Sequence, residues 1–249
     1  MDGKIILKTP NEIQKMRDGG KIHREILQSL KKFSVAGKTT HEVDERAREL
    51  CRKFKVIPSF LNYGGFPGAA CVSINNEIVH TPPSEKILRD GDIFSIDFGV
   101  YFENFHTDGC ITFGIGKISQ TAQNLIFTAE KALTAAIELC RDGEKLQNVG
   151  AVIEKITTKN NFSVVRNLTG HGIGREIHEA PRVFNFREKS DDVILRAGMT
   201  IAIEPIICEN SSANFTAADG FAILTKDGGL SSHCEHTVLI RENDAEILT

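Results

Sequence analysis

Helix-start signals and hydrophobic stripes follow one another along this chain in an order that is played twice. Thr9-Pro10-Asn11-Glu12 sets a hydroxyl three residues before a glutamate, with proline at the first helical position, the mark of a capping box. Ile22, Ile26, Leu30 and Phe33 follow at helical spacing. Gly19-Gly20 lowers the stability of that helix but lets a neighbour pack close. Thr39-Thr40-His41-Glu42 is a second capping box, leading Val43, Ala47, Leu50, Cys51 and Phe54 on one face. Apolar strands are predicted at 70–73, 93–100 and 105–113. After Gly116 a third helix starts at Ser119, striped by Ala122, Ile126, Ala129, Leu133, Ala136 and Cys140 and ended by Asp142-Gly143. Leu146, Val149, Ile153 and Ile156 predict a fourth helix. Strands are expected again near 162–166, 199–206, 221–225 and 236–240. Two helices then strands, twice over, predict an α+β fold with pseudo-two-fold symmetry, its helices covering one face of a mostly antiparallel sheet. Without a linker or low-complexity stretch, residues 1–249 read as one domain with halves of about 9–115 and 119–240.

Composition narrows the classes. Of 249 residues, 41% are hydrophobic and 25% charged, a globular balance that excludes a disordered chain. Lys plus Arg number 30 against 33 acids, a net charge of −3, so no footprint for nucleic acid or an anionic membrane is expected. Residues 1–8 are charged and carry no signal core, and no apolar run approaches the ~18 residues that span a bilayer. A cytoplasmic protein is expected. Cys51, Cys71, Cys110, Cys140, Cys208 and Cys234 form no Cys-x-x-Cys pair, so they read as reduced thiols without a structural zinc site.

The chemistry gathers on strand-borne acids. Alternation over 93–100 puts Phe94, Ile96 and Phe98 on one face and Ser95, Asp97 and Gly99 on the other. A hairpin tip at Tyr101-Phe102-Glu103-Asn104 would set Asp97 directly opposite Asp108, where like charges are destabilising without compensation. Either a lysine pairs with one of them, or the loop register differs, or a divalent cation neutralises both. Gly170-His171-Gly172-Ile173-Gly174 offers a histidine that is a loop residue or a ligand. Glu204, alternating with Ile201 and Ile203, faces water or the same cation. Glu235 stands on another strand in Ser232-His233-Cys234-Glu235-His236-Thr237.

Beyond these separate signals, the chain resembles the methionine aminopeptidases of the short bacterial type. The resemblance rests on Asn62-Tyr63-Gly64-Gly65-Phe66-Pro67, Cys71-Val72-Ser73-Ile74-Asn75, Gly170-His171-Gly172-Ile173-Gly174, Ile203-Glu204-Pro205 and Glu235-His236-Thr237. It implies the pita-bread fold of that superfamily and two divalent metal ions (Fe, Mn, Co or Zn) on Asp97, Asp108, His171, Glu204 and Glu235. His80 and His178 would be non-ligand active-site histidines. Phe60, Tyr63, Phe66, Cys71 and Phe221 would line the methionine pocket, and Asn76, Ile78 and Ser231 a monovalent-cation site. Gly109 after Asp108, Phe221 where tryptophan is frequent, and a stretch after His80 shorter by one residue depart from the family's pattern.

The activity so implied is removal of the N-terminal methionine from nascent proteins near the ribosome when the second residue is small, by a monomeric enzyme using hydroxide from the dinuclear site. Glu204 would be its general base and acid. A proline-specific relative with the same ligands is the rival, though such relatives usually carry an extra N-terminal domain for which residues 1–8 leave no room. A binding module on the same scaffold is a third reading, opposed by the filled ligand positions.

Overall fold

Both capping boxes form. In the computed structural model, which describes residues 3–190 and 193–249, the Glu12 carboxylate accepts from the Thr9 N–H at 2.8 Å while the Thr9 hydroxyl accepts from the Glu12 N–H. This starts α1 (Pro10–Phe33). Thr39 and Glu42 do the same for α2 (Thr40–Phe54), and each cap contributes about 1 kcal/mol. Met1 and Asp2, at the head of the charged N-terminal stretch, lie outside the described residues, as do Asp191 and Asp192.

The chain continues through β1 (Ile57–Pro58), a 3-10 turn (Tyr63–Gly65), β2 (Ala70–Ile74), β3 (Glu77–Val79), β4 (Ile93–Phe102) and β5 (Phe105–Gly114). The second helix pair is α3 (Gln120–Leu139) and α4 (Leu146–Lys159). Short strands follow: β6 (Ser163–Val164), β7 (Gly170–Gly172), β8 (Glu179–Val183), β9 (Thr200–Ile203), β10 (Ile206–Cys208), β11 (Asn214–Thr216), β12 (Ile223–Thr225), β13 (Ser231–His233), β14 (Glu235–Ile240) and β15 (Ala245–Ile247).

Among the described residues the main sheet has nine strands in the order β1-β4-β5-β14-β9-β7-β8, with β2 on β4 and β15 on β14. All its pairs are antiparallel. β14 is the seam, pairing β5 on one side and β9 on the other. The sheets β13-β10-β6 and β11-β12-β3 complete the architecture. The first helix pair buries Ile26, Leu30, Val43 and Leu50 against Phe94, Ile96 and Phe98. The second buries Leu125, Leu133, Val149 and Ile153 against Ile201, Ile203 and Val238. The helices therefore take the apolar face of the α+β fold, and the polar face of the strands is left for chemistry.

Several elements differ from the expectation. α3 stops at Leu139 with Cys140 as its cap; Gly143, at φ 82°, belongs to the following turn, where its N–H donates to the Leu195 carbonyl. The strand expected over 162–166 shrinks to β6, and that over 199–206 breaks into β9 and β10 at Glu204-Pro205, because proline has no N–H for the ladder. The hairpin turn is two residues, Glu103 and Asn104, both left-handed at φ 46° and 69°, so Phe102 faces Phe105. Asp97 then faces Cys110 and Asp108 faces Gly99. The two acids are diagonal rather than directly opposed. Because the register error is two residues, their shared face survives; a slip of one would have parted them.

Candidate metal centre and substrate pocket

One cavity of about 300 Å³ is lined by Asp97, Asp108, His171, Glu204 and Glu235, by His80 and His178, and by Phe60, Tyr63, Phe66, Cys71 and Phe221. The donors reach it from β4, β5, β7, β14 and the end of β9. Gly170 and Gly172 flank His171 because β7 is squeezed between β9 and β8. A Cβ added at Gly170 would lie 2.3 Å from the Ala202 carbonyl oxygen, and one at Gly172 would lie 2.1 Å from that of Ala180. The His171 Nδ1–H donates to the Gly172 carbonyl at 2.9 Å, which leaves the Nε2 lone pair facing the acids. Asn185 holds the Glu204 backbone, its Nδ2 donating to the Glu204 carbonyl at 2.8 Å.

Donor atoms of Asp108, His171 and Glu235 lie within 4.8 Å of one another. The Asp97 and Asp108 carboxyls influence each other's protonation, and Glu204 Oε1 is 3.7 Å from His171 Nε2. Burial pushes the Asp97 carboxyl up to about 7. Burial, then the neighbouring carboxylates, push Asp108, Glu204 and Glu235 well above the usual range. Burial drives the His171 imidazole down to about 3. Among the described residues, no lysine or arginine pairs with any of these four acids; Asp108, Glu204 and Glu235 meet only histidines as ion-pair partners. Asp97 Oδ1 and Glu235 Oε1 are buried without a hydrogen-bond partner. Crowded carboxylates, a neutral imidazole and orphaned oxygens form a donor set that suits a divalent cation.

The aromatic side of the cavity is a compact cluster of Phe60, Phe66, Cys71 and Ile177, with Phe221 against Phe66 edge to face at 5.6 Å. The Tyr63 hydroxyl lies 2.8 Å from His178 Nδ1, and the His178 ring meets His171 at 4.4 Å between centroids. Burial in the cavity wall, with His80 and His106 nearby, lowers His178 to about 4. His80 follows β3 at φ 58°, a conformation rare for a side chain of its size and frequent where function requires strain. At the expected monovalent-cation position, the Asn76 carbonyl accepts from Thr225 N–H, the Ser231 N–H donates to Asn75, and Ile78 is buried.

Sequence reasoning missed His233 and Ile177. His233 lines the cavity, 2% exposed, with Nε2 3.6 Å from Glu204 Oε2 and 3.7 Å from Glu235 Oε2; burial lowers it to about 3. Its signal was available: it stands two residues before Glu235, the spacing that shares a strand face. The six cysteines are free and buried. Burial raises Cys51, Cys140 and Cys208 to about 12 and Cys71, Cys110 and Cys234 well above the ordinary thiol, so none is poised as a thiolate nucleophile.

An antiparallel sheet with two helix pairs on one face and a carboxylate-rich cluster of metal-ligand side chains on the other is the scaffold of a metallohydrolase. The chain belongs to metallopeptidase family M24, whose model matches residues 14–242. It is similar to the methionine aminopeptidase of Clostridium perfringens, at 44% identity over 245 residues and 98% of both chains. The crystal structure of a methionine aminopeptidase from Thermotoga maritima agrees with a TM-score of 0.96 at 38% identity, covering 99% of each chain. A prolidase from Pyrococcus furiosus, 23% identical with a TM-score of 0.81 over 98% of this chain and 65% of that one, shares the pita-bread fold. Family and donor cluster together support divalent-metal dependence. Among the described residues, no helix is long and apolar enough to cross a membrane.

Proposed function

We propose that this chain is a metal-dependent aminopeptidase that removes the N-terminal methionine from newly made polypeptides when the second residue is small and uncharged. One observation carries the reading: the donor cluster and a narrow sulfur-and-aromatic pocket share a single cavity. Phe60, Phe66, Cys71 and Phe221 suit an unbranched thioether, since sulfur–aromatic contacts are favourable. Asp97, Asp108, His171, Glu204 and Glu235, drawn from both halves of one catalytic unit, would hold two divalent ions. Such ions supply Lewis acidity and a water of lowered pKa.

The chain's own groups handle protons and orientation. Glu204 takes a proton from the attacking water on its carboxylate and returns it to the leaving amine. The Tyr63 hydroxyl donates to His178 Nδ1, so the neutral ring presents its Nε2–H to the developing oxyanion, a contact worth ~3 kcal/mol in the transition state. His80, at the cavity wall, contacts the scissile nitrogen or the free amine. A monovalent cation at Asn76, Ile78 and Ser231 steadies the loops near β3 and β13. The enzyme works as a monomer in the cytoplasm, on chains emerging from the ribosome.

The test is methionine release from Met-Ala-Ser by chelated protein and after return of Mn(II), Fe(II), Co(II) or Zn(II), beside an Ala-Pro peptide. Release that disappears with chelation and returns with metal supports the reading. Turnover of the Ala-Pro peptide alone would overturn it in favour of a prolidase-like enzyme.

A further inference from the structure

A second cavity, of about 450 Å³, adjoins the first and shares its wall of His80, His171, His178 and Glu204. Its remaining lining has the opposite electrical character. Arg166 and Arg182 enter it together with Asn167 and Thr169, and Glu204 is the sole carboxylate among its described lining residues. Arg182 stands on β8 directly across from His171 on β7, and opposed residues of an antiparallel pair project from the same face. The sheet face that carries Glu235 on β14, Glu204 at the end of β9 and His171 on β7 therefore continues onto the edge strand, where it presents a guanidinium. That guanidinium is exposed, and no acid among the described residues is placed against it. Arg166 is tied down instead: it stacks on the Phe186 ring at 4.5 Å and is paired with Glu154.

We propose that this cavity is a downstream subsite that binds a carboxylate of the substrate peptide, through Arg182 with Arg166 as the second cationic wall. The inference rests on the aminopeptidase reading. A peptide leaving the cleaved bond in extended form advances about 3.4 Å per residue, so its second or third residue past the bond comes level with the neighbouring strand. A planar guanidinium fork there matches a carboxylate with two charge-assisted hydrogen bonds. The carboxylate is an Asp or Glu side chain in a long substrate, or the chain terminus of a very short one.

Steady-state kinetics on amidated peptides Met-Ala-Ser-Xaa-Gly, with Xaa as Asp, Asn or Lys, test it, alongside Met-Ala-Ser as free acid and as amide. The wild-type preference for Asp over Asn is expected to be about tenfold in kcat/KM, carried mainly by KM, and to shrink in ~0.5 M salt as screening shortens its range. Arg182→Gln is expected to abolish the preference and Arg182→Glu to reverse it toward Lys. Loss of preference confined to the free-acid tripeptide assigns the subsite to a chain terminus, and loss confined to the Asp peptide assigns it to a side chain; both support a carboxylate site. An Asp-to-Asn ratio equal in wild type and both variants, with the free-acid-to-amide ratio also unmoved, overturns it. If the Asn peptide releases no methionine even from metal-loaded wild type, the aminopeptidase reading fails instead, so the two failures are distinguishable.

Discussion

Asp108 is held from several sides before any cation is considered. Its N–H donates to Thr237 Oγ1 at 2.8 Å, the same hydroxyl donates to the Asp108 carbonyl at 2.8 Å, and the Gly109 N–H donates to its Oδ1 at 2.9 Å. With the backbone clamped independently of the carboxylate, Asp108→Ala is expected to fold and to lose turnover, with metal retention weakened ~10-fold or more. Circular dichroism and metal content after dialysis check this, and wild-type turnover would contradict it. His178→Ala should lower kcat by ~100-fold while metal content stays unchanged. A parallel loss of metal would show that the imidazole acts as a ligand. Asp97 was legible because strand alternation sorts it from Phe94, Ile96 and Phe98, whereas Glu204, open between water and a cation on alternation alone, took its ligand role from the family resemblance. His233 was not legible, because the glutamate two residues on absorbed the functional reading of that strand, and only the fold shows its buried Nε2 beside Glu204 and Glu235 without a hydrogen-bond partner.

Among the elements, the helix starts were the most legible, because a capping box is local chemistry that tertiary packing has no reason to change. Gly19-Gly20 was also readable as a packing site. A Cβ at Gly20 would sit 2.1 Å from the Leu248 carbonyl oxygen and 2.8 Å from its carbon, so α1 touches the C-terminal segment backbone to backbone. Gly20→Ala gains up to about 1 kcal/mol of helix propensity but must push that segment away, at an overpacking cost of about 1–3 kcal/mol. The variant is therefore expected to unfold at lower urea concentration, and a higher midpoint would disprove the contact. The elements that escaped prediction are those whose pairing is set from afar. β8 contains Pro181 and no apolar alternation, and exists because β7 offers it a glycine-lined edge. The hairpin tip moved because Glu103 and Asn104, both left-handed, form the turn, which displaces its centre by one residue and the pairing by two. Its consequence was mild only because the shift was even.

For the whole molecule, the crowded acids couple stability, pH and metal. An acid whose folded-state pKa lies above its unfolded value binds its proton more tightly when folded, so unfolding releases protons and stability falls as pH rises through that interval. Asp97 is lifted from an ordinary 3.8 to about 7, and Asp108, Glu204 and Glu235 move in the same direction. The buried imidazoles His23, His171 and His233, each lowered to about 3, act oppositely: they remain neutral when folded, and stability falls as pH drops below about 6.5, where the unfolded chain takes up their protons. Above that value the imidazoles are neutral in both states, and the acids still titrate; the buried thiols, ionising near pH 9 only in the unfolded chain, act in the same direction at higher pH. Metal-free protein is therefore expected to lose thermal stability as pH rises above about 6.5, through the Asp97 value of about 7 and on into the range of the other three acids. A divalent ion replaces the protons the acids would otherwise hold, so its binding releases protons and tightens as pH rises. The gap in Tm between metal-loaded and metal-free protein should widen over the same range. Scanning calorimetry measures the gap, and titration calorimetry in buffers of different ionisation enthalpy counts the protons released. A gap that stays constant or narrows, with no proton release, would mean that these acids are not the groups neutralised by the metal.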